Sequence, residues 1–260
     1  MKRTLLTSRD SAILEEALAK FGNIVTTRDL YSILKDASKA QALNIISRLA
    51  KRGWLVRIKH GTYSIADLTS RGYLDASQLV VAQTICSNSY VTMEAALGYH
   101  GMFDQLLSTI TSVSLAQIRT TNSGSSNYHY ISTQNHFFYG FDEVTIEGKQ
   151  VKIATIEKAL IDLIQFNRSI YSVDLVIEKM QTYKDKINFN RLASYLEKST
   201  TATTRIFGYI FDLLGIKSSS LDNIVKEDTS TTYLSKDSGV YQAKWRLYID
   251  KYFDKYSQSA

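Results

Sequence analysis

The stretch TTRDLYSILKDASKAQALNIISRLAKRGWLVRIKHGTYSIA, residues 26–66, decides the fold of the N-terminal part of the chain. Its apolar residues recur at helical spacing in two consecutive segments. Ser38 is placed to cap the second segment, because its hydroxyl can accept a hydrogen bond from a free backbone N–H. After Gly53, residues 54–59 alternate apolar and polar side chains, as in a half-buried strand. A turn at His60–Gly61 then leads into a second strand, so the stretch predicts a winged helix-turn-helix.

Residues 8–20, upstream of this stretch, predict a first helix with Ser8 as its N-cap and Gly22 as its stop. Together these elements predict a winged helix-turn-helix domain over residues 1–70, with a linker at 67–73.

Residues 73–260 predict a larger domain with a small, mostly antiparallel sheet followed by a C-terminal helical bundle, which makes the whole chain α+β. The sheet is expected over about 113–154 and the helices over about 155–256. Strands are predicted at 113–118, 128–132, 137–146 and 151–153, around a polar loop at 120–127. Helices are predicted at 75–85, 90–102 (capped by Thr92), 155–167, 172–183, 189–198, 202–215 and 239–256.

The charge of the chain is concentrated at its N-terminal end. Residues 1–72 contain 13 Lys and Arg against six Asp and Glu, whereas residues 73–260 contain 18 against 19. The N-terminal part therefore carries the whole excess behind the net charge of +6. A basic module on a nearly neutral body is typical of a nucleic-acid-binding protein. The simpler alternative is a solvated basic face without a ligand.

Composition bears on the compartment. Cys86 is the only cysteine, so no intramolecular disulfide can form, and a reducing cytoplasm is expected. The sequence has no long apolar run and its N-terminus lacks the features of a signal peptide, so no membrane partner is expected.

The helix predicted from Ser38 to about Arg52 has one face suited to DNA. Its apolar face is expected to consist of Ala42, Leu43, Ile46, Leu49 and Ala50. The opposite face carries Lys39, Gln41, Asn44, Ser47, Arg48 and Lys51, and no carboxylate. Asn and Gln can bond adenine and Arg can bond guanine in the major groove. Lys39, Gln41 and Asn44 are therefore predicted base contacts and Arg48 a base or phosphate contact. A merely solvated side chain is an equal alternative for each.

A basic wing is predicted to contact the DNA backbone through Arg57, Lys59 and His60, which would supply affinity rather than sequence readout. No other His or Cys lies near His60 in the sequence, so a metal site there is not expected. The full set of predicted DNA-binding residues is Lys2, Arg3, Arg28, Lys39, Gln41, Asn44, Ser47, Arg48, Arg57, Lys59 and His60.

No catalytic motif stands out in the sequence. The four histidines are dispersed and Cys86 has no partner, so zinc is not expected and Cys86 is predicted to be a core residue. Glu157 and Asp162 lie about 140° apart around a predicted helix and do not share a face. Glu157 suits the positive end of the helix dipole. The sequence therefore predicts no enzyme activity, no metal and no cofactor.

Three segments, in order, resemble one protein family. WLVRIKHGTYSI resembles a winged-helix end with the pattern G-x-L-x-R-I-x-R-G-x-Y, and YVTMEAALGYHGM resembles Y-[IV]-S-x-x-S-A-L-x-x-H-G-L. VKIATIEKALIDLI resembles V-x-I-A-x-P-E-K-A-L-L-D-L. In this order and spacing they look like the AbiEi-type antitoxins of abortive-infection AbiE systems. His60 stands where this family commonly has Arg, and Ile156 stands where it usually has a helix-opening Pro.

The resemblance implies two roles. The N-terminal domain would repress its own operon by binding inverted repeats in the promoter, so double-stranded DNA is an expected partner. The larger domain would act as the antitoxin of a type IV toxin–antitoxin system against a nucleotidyltransferase-like toxin, without forming a stable complex with it. Basic residues are candidates for an antitoxin face, namely Lys152, Lys158, Arg168 and Arg205.

Other functions stay open at this point. The winged helix could be a protein-interaction module, or the chain could be a plain transcriptional regulator without antitoxin activity. A third alternative is an enzyme that modifies RNA or nucleotides and uses the winged helix as a clamp.

Overall fold

The computed structural model of the chain describes residues 6–66, 72–124, 126–217, 221 and 229–257. Its N-terminal strands form an antiparallel sheet in the order β1-β3-β2. Three helices accompany this sheet in the described part, and the order of helices and hairpin confirms the predicted winged helix-turn-helix. The elements are α1 (Ser8–Phe21), β1 (Ile24–Thr26), α2 (Thr27–Ile33), α3 (Lys39–Lys51), β2 (Leu55–Lys59) and β3 (Thr62–Ile65).

Local sequence signals set the ends of these helices. Thr26 opens α2 and Ser38 opens α3, each with a capping box in which the cap hydroxyl accepts from the N–H three residues on. The cap of α1 is Thr7, whose hydroxyl accepts from the Asp10 N–H at 3.1 Å, so the prediction of Ser8 as the cap is wrong by one residue. Gly22 follows α1 with a φ of 76°, a conformation in which a Cβ would be strained.

The larger sheet has six strands in the order β6-β7-β5-β4-β9-β8. The β5–β7 and β4–β9 pairs are parallel and the other three pairs are antiparallel, so the sheet is mixed. The helix α4 (Gln78–Ile85) precedes the first strand of this sheet, and α5 (Met93–Tyr99) lies between its first and second strands in the sequence. The strands are β4 (Ser89–Val91), β5 (Thr109–Ser114), β6 (Thr121–Ser123), β7 (Ser126–Ser132), β8 (Phe141–Ile146) and β9 (Lys149–Ala154).

Several predicted elements in this region have different boundaries; the strand predicted at 137–146, for example, begins at Phe141. The predicted helix at 90–102 is strand β4 followed by the shorter helix α5, because Tyr90 and Val91 pair with β5. The predicted strand at 113–118 is β5, which begins at Thr109. The predicted polar loop at 120–127 contains β6 and the start of β7. Ser123 of β6 and Ser126 of β7 are buried.

The sheet is followed by α6 (Ile156–Phe166), α7 (Ile170–Thr182), α8 (Phe189–Leu196) and α9 (Thr201–Leu213). The next described elements are β10 (Thr232–Tyr233), β11 (Val240–Gln242), β12 (Leu247–Ile249) and the short helix α10 (Asp254–Ser257).

The prediction of a helix at 239–256 is wrong. Residues 240–249 contribute two strands of a three-stranded sheet in the order β10-β12-β11. Leu247 and Ile249 are buried while Tyr248 between them is partly exposed, which is the two-residue period of a strand. The helical bundle is therefore followed by a small sheet.

Two hydrophobic cores hold the chain. The smaller is built from α1, α2, α3 and the wing strands and includes Leu30, Leu49 and Trp54. The larger fills the space around the six-stranded sheet and the helices that follow it, and it also contains Ile24 and Ile58 of the winged helix. The wing sheet therefore packs against the body, meaning residues 72–257, instead of projecting freely.

Candidate nucleic-acid interface

One face of α3 is open to solvent. Lys39, Gln41, Asn44, Ser47 and Arg48 are exposed, whereas Ala42, Ile45, Ile46 and Leu49 are buried in the smaller core. The predicted polar face is thus the outward face of the second helix of the helix-turn-helix. In this motif the second helix enters the major groove.

Leu43 lies on this exposed face, which corrects its predicted place on the apolar side. Its side chain is 46% exposed, and the buried position is taken by Ile45. On a helix, residues four apart are neighbours on the same face, so Leu43 lies between Lys39 and Ser47. An exposed leucine among polar side chains can make apolar contact with the methyl group of thymine.

Gln41 has one of its two polar groups already engaged. Its Oε1 accepts a hydrogen bond from the Ser38 N–H at 2.9 Å as part of the capping box. A bidentate contact with adenine needs both the oxygen and the NH2 group of the amide. Gln41 can therefore donate through Nε2 while it caps the helix, and Asn44 is the better candidate for bidentate recognition.

Arg48 is bound to the first helix. Its Nη2 lies 2.6 Å from Oδ1 of Asp10, a fully buried carboxylate, and Arg52 Nη1 lies 3.7 Å from Oδ2 of the same residue. This ion pair links α3 to the buried side of α1. Because its guanidinium has five N–H donors and the side chain is partly exposed, Arg48 can still meet a phosphate, but its position is fixed by Asp10.

The wing is short and is tied to the body. Arg57, Lys59 and His60 are exposed as predicted. However, Lys59 Nζ donates to the Ile85 carbonyl at 3.5 Å, and Ser123 Oγ donates to the Arg57 carbonyl at 3.3 Å. The sequence did not reveal this docking, which leaves Arg57 and His60 freer than Lys59 to meet a DNA backbone.

The remaining predicted DNA contacts fall in two places. Arg28 is exposed in the first turn of α2, next to the wing turn, since Thr27 N–H donates to the Gly61 carbonyl at 2.8 Å. Lys2 and Arg3 lie outside the described residues.

The two body segments that resemble the family motifs meet in a buried polar network formed by Tyr90, Thr92, Lys158 and Asp162. Lys158 Nζ contacts Asp162 Oδ1, while Oδ2 of Asp162 accepts from Tyr90 Oη at 3.0 Å and from Thr92 Oγ1 at 2.7 Å. Both charged side chains are fully buried. Burial raises the pKa of the Asp162 carboxyl, and Lys158 and the two hydroxyls oppose that rise. Burial and the adjacent Asp162 also raise the pKa of the Tyr90 hydroxyl, which keeps it a donor.

This burial corrects the predicted antitoxin face. Lys158 and Arg205 are both fully buried, and Arg205 donates to Thr232 Oγ1 at 2.9 Å, so neither belongs to a surface. Lys152 Nζ lies 3.7 Å from Glu143 Oε1 in a partly exposed ion pair. Of the four residues, Arg168 is the one with an exposed side chain.

Glu157 also has a role that the sequence did not reveal. Its fully buried carboxylate accepts from Arg191 Nε and from the Asn188 N–H, each at 2.7 Å. It therefore joins α6 to α8, in addition to lying at the favourable end of the helix dipole.

The described residues also bear on metal binding and membrane insertion. No group of three or more His, Cys, Asp or Glu side chains that could hold a metal ion occurs among them. None of their helices is both long enough and apolar enough to span a membrane. Cys86 is buried, with its Sγ 3.3 Å from Ser114 Oγ.

The fold and the exposed face of α3 define a winged helix-turn-helix protein attached to a larger α+β body. Residues 12–66 match the family model described as "Transcriptional regulator, AbiEi antitoxin". The resemblance inferred from the sequence motifs is thus confirmed for this segment.

The whole chain also has a structural relative. It resembles the crystal structure of the RV2827C protein from Mycobacterium tuberculosis, with a TM-score of 0.66 at 13% sequence identity. The match covers 95% of this chain and 92% of the other, so the two share a fold over nearly their full lengths. No curated protein sequence matches the chain.

Proposed function

We propose that the chain is a transcriptional autorepressor that binds inverted repeats in its own promoter through the exposed face of α3. The observation that carries this proposal is the composition of that face. It combines cationic, amide and hydroxyl side chains without a carboxylate, on the helix that this motif places in the major groove. An acid on this face would be repelled by the flanking phosphates.

The dimensions of α3 suit this role. Its 13 residues span about 20 Å at 1.5 Å per residue. A helix of this kind fits the major groove, which is about 12 Å wide. Lys39 and Asn44 lie in the N-terminal half of α3, which makes most of the base contacts in this motif. Arg28, Arg57 and His60 would supply backbone contacts beside it.

We further infer that the body provides antitoxin activity against a nucleotidyltransferase-like toxin, without a stable complex. The match of residues 12–66 to a family described as AbiEi antitoxins supports this inference. The proposal involves no catalysis by the chain itself. Because it acts on promoter DNA, we expect the protein in the cytoplasm.

The division into a DNA-binding domain at 1–70 and an antitoxin domain at 73–260 is also a proposal. Since Ile24 and Ile58 pack in the core of the body, antitoxin activity is best tested with the full chain. Co-expression with the toxin should restore growth, and Asn44→Ala should leave this rescue intact. Failure to rescue growth would contradict the antitoxin role, and co-elution of toxin and antitoxin would contradict the absence of a stable complex.

A gel-shift titration with the protein's own upstream region tests the DNA-binding proposal. The affinity should fall steeply with salt, because bound Lys and Arg side chains release counterions from the DNA. Arg28→Ala should weaken binding to this region and to unrelated DNA alike. The absence of any shift at low salt would refute the proposal.

A further inference from the structure

Three tyrosines form a row across the small C-terminal sheet. Tyr233 on β10 and Tyr241 on β11 both pair with Tyr248 on the central strand β12. The three side chains therefore lie side by side on one face of the sheet. Tyr233 and Tyr241, on the two outer strands, are 50% and 47% exposed.

The opposite face of this sheet is packed against the body, so the row is the solvent side. Thr232, Leu247 and Ile249 are buried. The rings of Tyr233 and Tyr248 stack with centroids 4.4 Å apart and an angle of 4° between their planes. Tyr233 is at the end of the row, so Tyr248 stacks on one face of its ring. The other face of the Tyr233 ring is not covered by a tyrosine of the row.

A groove of about 800 Å³ borders Tyr233. The start of α7 also lines the groove, and Tyr171 there is 52% exposed. Burial and the nearby carboxylate of Glu94 raise the pKa of the Tyr171 hydroxyl. The groove is thus lined by two solvent-exposed aromatic side chains, Tyr171 and Tyr233.

Two cations line the same groove. Arg168 and Lys236 are exposed, and neither makes an ion pair with a carboxylate in the described part of the chain. Two other exposed cations of the body are paired, Lys244 with Asp212 and Lys255 with Asp174. Among the described residues that line the groove, Asp237 is the one carboxylate. The described lining of the groove therefore carries a net positive charge beside exposed aromatic rings.

This combination matches the chemistry of a single strand of nucleic acid. Unpaired bases stack on exposed aromatic rings, and basic side chains follow the phosphates. Duplex DNA does not fit this chemistry, because its bases are stacked on one another. The open shape of the groove favours a strand that passes through it over an enclosed small molecule.

We propose that this groove binds single-stranded nucleic acid, with one base stacked on Tyr233 and the adjacent phosphates held by Arg168 and Lys236. The site is built from residues outside the winged helix-turn-helix and goes beyond the recognition of promoter DNA.

The test is fluorescence anisotropy of the full chain with short labelled oligouridylate and oligothymidylate, in the presence of saturating unlabelled duplex DNA. The duplex occupies the α3 face, so the remaining binding reports the groove. We expect at least one of the two strands to bind, and comparison of the two distinguishes RNA from DNA. If neither strand binds, or if the duplex abolishes all binding, the proposal is overturned.

Variants locate the site. Tyr233→Leu should weaken binding about tenfold, because it removes a stacking ring, whereas Tyr233→Phe should retain the affinity. Tyr241→Leu is the matched control, since Tyr241 is equally exposed at the other end of the row but does not line the groove. Equal losses for the Tyr233→Leu and Tyr241→Leu variants would refute the assignment.

Arg168→Ala tests the charge independently of the sheet. It should weaken strand binding and reduce its salt dependence, while duplex DNA binding stays unchanged. This variant keeps the proposal testable if Tyr233→Leu fails to fold. Unchanged strand affinity for Arg168→Ala would contradict the proposed phosphate contact.

Discussion

Replacing Lys158 by methionine removes the positive charge from the buried polar network and leaves Asp162 without its counterion. Both side chains are fully buried, so neither charge is shielded by solvent in the native state. Removing one partner of a buried ion pair typically destabilises a protein by about 3–5 kcal/mol. Methionine is close to lysine in volume, so the loss of packing should be small.

Two features of the structure place the expected loss near the lower end, at about 3 kcal/mol. Tyr90 and Thr92 still donate hydrogen bonds to Asp162 in the variant. Asp162 can also bind a proton, since burial already raises its pKa and Lys158 no longer opposes this. Protonating Asp162 in the folded variant costs about 1.4 kcal/mol for each unit by which the pH exceeds its raised pKa. This cost sets an upper limit on the destabilisation caused by the uncompensated charge.

The effect should therefore depend on pH in a defined direction. Between the ordinary pKa of Asp162, which is 3.8, and its raised value, the folded variant binds a proton that the unfolded chain has released. The folded state is then stabilised at low pH, and this contribution is lost as the pH rises. The difference in stability between wild type and Lys158→Met should thus be larger at pH 8 than at pH 5.

Urea unfolding followed by tryptophan fluorescence measures this difference, because Trp245 is buried in the body and Trp54 in the winged helix. The double variant Lys158→Met, Asp162→Asn is the matched control. Its neutral amide can still accept the two hydroxyl hydrogen bonds, so part of the lost stability should return at pH 8. A loss below about 1 kcal/mol that is the same in both variants would refute the reasoning.

Two further predictions concern packing and base recognition. A Cβ at Gly208 in α9 would clash with the buried ring of Trp245. Gly208→Ala should therefore destabilise the chain by about 2 kcal/mol despite a gain of about 1 kcal/mol in helix propensity. Gly239→Ala, where the space is open, should be neutral in the same urea titration, and equal effects would contradict the clash. Leu43 should contact a thymine methyl, worth about 0.8 kcal/mol or roughly fourfold in affinity. Wild type should lose this affinity on promoter DNA that contains uracil in place of thymine, whereas Leu43→Ala should not. Equal losses would exclude the contact.

Local signals predicted the winged helix-turn-helix well. The capping boxes at Thr26 and Ser38 and the stop at Gly22 depend on residues within a few positions of one another. The predicted place of Leu43 on the apolar face is wrong, because an apolar side chain on a helix does not by itself indicate burial. Its spacing from Lys39 and Ser47 is the better guide, since all three share one stripe of the helix.

The prediction of a helix at 239–256 is wrong because the strands there are only three residues long. Leu247 and Ile249 are two residues apart and both buried, a spacing that indicates a strand, but three-residue strands leave few positions in which to detect the alternation.

Contacts between distant segments could not be predicted. Lys158 and Asp162 are four residues apart on α6 and look like a surface ion pair. They are buried because α5, α7, α8 and α9 all contact α6. The docking of the wing on the body depends in the same way on Ser123 and Ile85, which are far from Arg57 and Lys59 in the sequence. The row of tyrosines also requires the observed strand register.

The most direct test of the central claim compares the affinity of the full chain for its own upstream region with its affinity for scrambled duplex DNA. If Asn44 reads a base edge, Asn44→Ala should lower the ratio of these affinities about tenfold, within the roughly 1–3 kcal/mol expected for a bidentate contact. Asn135→Ala, an exposed asparagine of the body, is the control and should leave the ratio unchanged. A ratio near one for the wild type, or the same ratio for wild type and Asn44→Ala, would contradict the account.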